Sequence, residues 1–181
     1  MAIRCTAAAA LAAVLTCAPA FAAGQDAKSP EVAKQLAQLL DQQKLQSFAV
    51  ADPATPGTYV AAMYFPGTQL LVVSAKYAAP QILDQKISQK DYQGVYVELQ
   101  SASEVPTKIF VMDTLADGLV AKPGDSQAPD SVERAGIQIT FDGDWKKAKE
   151  SEADYMKTFT DVDAAYTHAM QLMIDKLKAG A

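Results

Sequence analysis

The sequence predicts an α+β domain: an antiparallel sheet or split β-barrel with an N-terminal helix before it and a long C-terminal helix after it. Three observations carry this. Gly57–Tyr77 (GTYVAAMYFPGTQLLVVSAKY) sets two runs rich in β-branched and aromatic residues around Pro66-Gly67, a hairpin signature. Its apolar residues hardly alternate, so both strands are expected to be covered on both faces, near the middle of the sheet. Helical spacing then marks the two ends of the domain, after Ser29-Pro30-Glu31 and again over Ser151–Leu177.

The first 22 residues read as a leader. Arg4 supplies a positive charge, Thr6–Thr16 is an alanine-rich apolar core, and Ala20-Phe21-Ala22 has the small-x-small pattern of a cleavage site. The core is shorter than the roughly 20 residues a membrane span needs. Cleavage near Ala22 is expected, giving a periplasmic or secreted product with a disordered terminus over 23–28 and a single domain over 29–181. A lipoprotein leader would use Cys17, but Val14-Leu15-Thr16 lacks the small residue expected before the cysteine. No later segment is apolar enough to insert in a membrane.

Cys5 and Cys17 are the chain's two cysteines, and both fall in the leader. The mature domain therefore has no disulfide, thiolate nucleophile or sulfur-ligated metal. A domain of about 150 residues buries about two-thirds of its unfolded surface and can rely on its core. The full chain has 16 basic and 21 acidic residues; without Arg4, 15 against 21 leaves a net charge of −6, and Arg134 is the remaining arginine. Phosphate backbones and anionic membranes both demand clustered Lys and Arg, so neither is an expected partner.

In order, Ser29 is expected to cap a helix with Pro30 in its first turn and Val32, Leu36, Leu39 and Leu40 on its apolar face, ending near 44–46. Its glutamine-rich face reads as solvated. Ser47–Ala51 reads as a short strand, and Asp52–Gly57 as a turn set by two prolines and a glycine. After the hairpin come a short helix from Pro80 and the strands Val95–Leu99 and Lys108–Met112. The Asp113–Ser131 stretch is rich in Gly, Pro, Asp and Ser, and a loop of that length in a compact domain is commonly functional or disordered. Ile137–Phe141 alternates as a last strand, and Asp142-Gly143-Asp144 is its turn. In the final helix, Ser151 can cap, and Tyr155, Phe159, Val162, Tyr166, Met170, Met173 and Leu177 form one stripe about 40 Å long at 1.5 Å per residue. Core packing is the expected use of that stripe; a homodimer seam is the alternative.

No motif for nucleophilic catalysis is present: there is no G-x-S-x-G, and the single histidine, His168, lies about 200° around the helix from Tyr166, beside Asp161, Gln171 and Asp175. No catalytic residue is assigned, and whether the chain is an enzyme stays open. Asp113, Asp117, Asp125, Asp130, Asp142 and Asp144 are oxygen donors of the kind calcium takes, but none matches an EF-hand loop and Asp-Gly pairs suit turns; no metal site is assigned. The aromatics, Tyr64, Tyr77 and Trp145 among them, are core and edge residues or the lining of an apolar pocket with hydroxyl handles. With the 113–131 loop they make Tyr77, Asp113, Asp117 and Trp145 the candidate ligand-binding residues.

The element order (helix, SFAVAD, a Pro/Gly turn, TYVAAMYF, QLLVVSA, the helix APQILDQKI, then VYVELQ and KIFVMD) resembles the pyridoxamine-phosphate-oxidase-like split barrel over about residues 30–141. That resemblance implies FMN as cofactor, a dimer, and a phosphate held near the third strand, where Ser74 and Lys76 are the nearest matches. Ala78-Ala79-Pro80-Gln81 stands where the family has a basic run. Leaving SFAVA out of the sheet, the order instead resembles profilin-like or roadblock-like modules, and pairing by Phe48–Ala51 separates the two. The expected function is non-catalytic binding of a small ligand or another protein, with an FMN-dependent oxidoreductase as the alternative.

Overall fold

The computed structural model describes residues 27–77, 109–119, 129–134 and 137–180. The expected leader, the expected helix from Pro80, the expected strand Val95–Leu99 and the middle of the expected 113–131 loop lie outside these residues.

Among the described residues, six strands form one sheet in chain order: β1 (Ser47–Ala51), β2 (Thr58–Phe65), β3 (Leu70–Tyr77), β4 (Ile109–Asp113), β5 (Ser131–Arg134) and β6 (Ile137–Thr140). Each pairs antiparallel with the next. Among the described residues the sheet is open, with β1 and β6 at its edges, so of the two forms expected it is the antiparallel sheet that is observed. Ser47–Ala51 pairs residue for residue with Met63 back to Tyr59, which rules out the parse without this strand. β5 was not expected. SVER offers only Val132 to the core, too little for an apolar run to register, and its pairing with β4 and β6 makes it a strand.

Successive strand residues point to opposite faces. Val60, Ala62, Tyr64, Leu71, Val73, Val111, Val132 and Ile139 share one core with both helices, while Met63, Phe65, Leu70 and Val72 form a second buried cluster with Phe110 and Met112 against it. The hairpin is thus buried on both faces, as its weak alternation implied.

Helix α1 (Ser29–Gln42) buries Ala33, Leu36, Ala37 and Leu40. It ends at Gln42, short of 44–46, because Lys44 turns left-handed with φ +57°. The Leu45 N–H then reaches the Leu40 carbonyl at 2.9 Å and the Lys44 N–H the Asp41 carbonyl at 3.1 Å, the paired bonds of a Schellman ending. Helix α2 (Glu152–Ala179) starts as expected: the Ser151 hydroxyl accepts from the Asp154 N–H, with Glu152 and Asp154 in the first turn. Its stripe from Tyr155 to Leu177 is buried against α1 and the sheet, so it serves the core of this chain.

Candidate functional site

A buried polar network fixes where α1, α2 and the end of β4 meet. Ser29 does not cap α1. The cap comes from Asp163 of α2, whose Oδ2 accepts the Lys28 N–H at 2.9 Å and whose Oδ1 accepts the Ser29 N–H at 3.1 Å, across 135 and 134 residues of chain. A carboxylate is well suited there, facing the positive end of the helix dipole. The Ser29 hydroxyl accepts instead from the buried Leu119 N–H at 2.8 Å. Gly118 (φ +89°) lies so close to α1 that a Cβ would stand 2.3 Å from Pro30 Cα. Glycine is required on both counts.

Asp113, fully buried, gathers this turn. Its Oδ2 accepts the Gly118 N–H at 2.6 Å and the Tyr166 hydroxyl at 3.1 Å, and its Oδ1 accepts the Asp117 N–H at 3.1 Å. Burial lifts the Asp113 carboxyl to about 6, outweighing the hydrogen bonds that favour its charged form. Burial and the neighbouring Asp113 push the Tyr166 phenol well above its ordinary range. The Thr114 N–H donates to Asp130 Oδ1 at 3.2 Å, and the Asp130 carbonyl accepts the Phe141 N–H at 2.8 Å, which ties the turn to the end of β6.

This turn and the outer side of α1 bound a cleft of about 620 Å³. Pro30, Ala37, Leu115 and Ala116 give it apolar surface; Glu31, Lys34, Gln38, Asp41, Gln69 and Asp117 give it a polar rim. Leu115 is 48% exposed, one of two large apolar side chains so open among the described residues. Gln69 (φ +53°) and Ala116 (φ +54°) hold left-handed backbone without being glycine, a costly conformation that tends to collect at binding sites. Tyr64 also lines the cleft: the residue is only 9% exposed, and its hydroxyl has no hydrogen-bond partner among the described residues. Burial, then the nearby Asp41, raise its pKa, so the phenol stays neutral.

The candidates read from the sequence are dispersed. Asp117 is exposed and lines the cleft, whereas Asp113 supports the turn from beneath with both oxygens engaged. Trp145 is half-buried against the core with Lys146 Nζ 5.3 Å from its ring centroid, and it does not line the cleft. Lys76 and Tyr77 end β3 opposite Tyr59 and Thr58. Ser74 pairs with Ala61 and Phe110, and its buried hydroxyl has no hydrogen-bond partner among the described residues.

Asp142 and Asp144 form a turn: the Asp144 N–H donates to Asp142 Oδ1, and Lys147 bonds Asp142 Oδ2, each at 2.9 Å. Burial opposes the charge on Asp142, but Lys147 and the Asp144 N–H hold its pKa below the ordinary value. No group of three potential metal ligands occurs among the described residues. His168 is half exposed, with Nε2 3.4 Å from Asp52 Oδ1, a partner 116 residues away that its helical neighbours did not suggest. The α1 contribution to the cleft was also missed. In sequence Gln38 reads as solvated surface, and Glu31, Lys34 and Asp41 carry no signal because the turn facing them is distant along the chain.

No protein-family model, curated protein or solved structure matches this chain. Among the described residues, fold and site together define its class: an α+β domain with an open antiparallel meander, two helices packed on one face, and a cleft where the first helix meets the turn after β4.

Proposed function

We propose that the chain is an exported, non-catalytic binding domain that takes a small ligand in the cleft between α1 and the 114–117 turn. The observation that carries this is the cleft itself. Its volume of about 620 Å³ falls in the range of small-molecule sites, and it mixes apolar walls with a few polar groups. The Asp113–Asp163 network holds the turn against α1 before any ligand arrives, which lowers the ordering cost of binding. His168 stands outside the lining residues, so the cleft has no imidazole base. A fragment screen followed by amide shifts tests the reading: hits should perturb Lys34, Gln69 and Leu115 and be lost in Gln38→Trp, which fills the cleft. Hits scattered elsewhere, or unaffected by that variant, overturn it. Export is tested separately by sequencing the protein from the cell envelope, where Ala23 should be the first residue.

A second reading, an FMN-dependent oxidoreductase, is favoured by the buried and unpartnered hydroxyl of Ser74, two residues before Lys76 on β3. There Ser74 and Lys76 would hold the phosphate, and the flavin would supply hydride transfer. A protein colourless as purified and unresponsive to added FMN would dismiss it.

A further inference from the structure

The cleft has a charge as well as a shape, and this points to the class of ligand. Three carboxylates, Glu31, Asp41 and Asp117, line it against one ammonium, Lys34. Glu31 and Asp117 have no ion-pair partner among the described residues. Among the described residues Asp41 pairs only with Lys44, at 3.6 Å with the lysine side chain 81% exposed, and a pair so open to water holds weakly. The whole chain adds to the same field, with a net charge of −5.

Acidic side chains alone suit any solvated surface, and Tyr64 is the independent observation. Its ring is enclosed, its hydroxyl has no hydrogen-bond partner among the described residues, and it lines the same cleft. A phenol oxygen offers lone pairs to an N–H donor. Pro30, Ala37, Leu115 and Ala116 then offer apolar surface to whatever carries that donor.

We propose that the ligand is an organic cation: an amine or quaternary ammonium on an apolar body, its charge between Asp41 and Tyr64, its body against Leu115 and Ala37, and Glu31 and Asp117 adding to the field from further along the cleft. This rests on the cleft being the binding site.

The test uses three probes of one shape, 2-phenylethylamine, 3-phenylpropionate and 2-phenylethanol, titrated into the isotope-labelled protein while amide shifts are read. The amine should shift Lys34, Gln38, Gln69 and Leu115 saturably, at least fivefold more tightly than either other probe. Its affinity should fall about tenfold in Glu31→Gln/Asp41→Asn, two exposed positions whose change leaves the fold intact, and severalfold in Tyr64→Phe. If the carboxylate or the alcohol binds the cleft as tightly as the amine, the cation inference is overturned and the cleft remains a ligand site. If none of the three moves the cleft amides, the cation inference falls, and the fragment screen alone then decides whether the cleft binds anything.

Discussion

Asp163, in the middle of the last helix, caps the first helix at Ser29. Two N–H groups at the start of α1 depend on this one carboxylate, and Ser29 is itself fully buried. Removing the acceptor strands both donors. Asp163→Ala should cost about 2 kcal/mol of stability, at the upper end for helix caps. Asp163→Asn, which keeps one acceptor oxygen, should cost less. Urea denaturation of the two variants checks this, and equal losses would mean that the cap contributes through packing alone.

Gly118 faces Pro30 with no room for a side chain. Gly118→Ala meets both a 2.3 Å contact with backbone and a left-handed φ of +89°, and these should add to at least about 2 kcal/mol of destabilisation. Ala116→Gly, two residues away at φ +54°, should act the other way and stabilise by about 0.5 kcal/mol. Melting temperatures moving in opposite directions would identify backbone strain as the cause.

The Asp113 carboxyl makes stability depend on pH in an unusual direction. Its folded value of about 6 lies above the ordinary 3.8, so between these pH values the native state keeps a proton that the unfolded chain has lost. This contribution is full below pH 3.8 and disappears as pH rises through 6, and the shift of about two units corresponds to at most about 3 kcal/mol. A carbon-detected titration should place the Asp113 midpoint near 6. In denaturation curves between pH 7 and 5, the wild type should gain stability relative to Asp113→Asn; parallel curves would refute the assignment.

Lys44 occupies the left-handed position of the α1 ending where glycine is commonest. Its side chain is exposed, and its only ion pair among the described residues is the open one with Asp41. Lys44→Gly should therefore stabilise by about 0.5–1 kcal/mol, relief of backbone strain outweighing the freedom glycine adds to the unfolded chain. A lower urea midpoint would show that the surface pair matters more than the backbone.

Local pattern made much of this fold legible. The hairpin, SFAVA, the stripe of α2 and its Ser151 cap all announce themselves within a few residues. What stayed hidden depends on partners far along the chain. Ser29 has the right chemistry for a cap, yet its hydroxyl is taken by Leu119 and its place by Asp163, and no local rule separates a serine that caps from one that is capped. β5 shows the same limit, since SVER is a strand because of its neighbours on both sides. Of the cleft, the sequence disclosed Asp117 and the aromatic Tyr64 but not the α1 rim, which becomes a wall only once the turn after β4 lies across from it.

Every described strand lies beside the next one along the chain, but the helical layer joins residues at the two ends, as Ser29 and Asp163 show. The strand pairs can therefore form from nearby segments, whereas the helices close a loop of about 130 residues and gain nothing until it shuts. A nascent chain has no finished first helix until the segment carrying Asp163 arrives. Loss of the C-terminal segment from Ser151 onward would uncover the sheet and leave α1 unanchored as well, so truncated products should be cleared by proteases rather than persist as shorter domains.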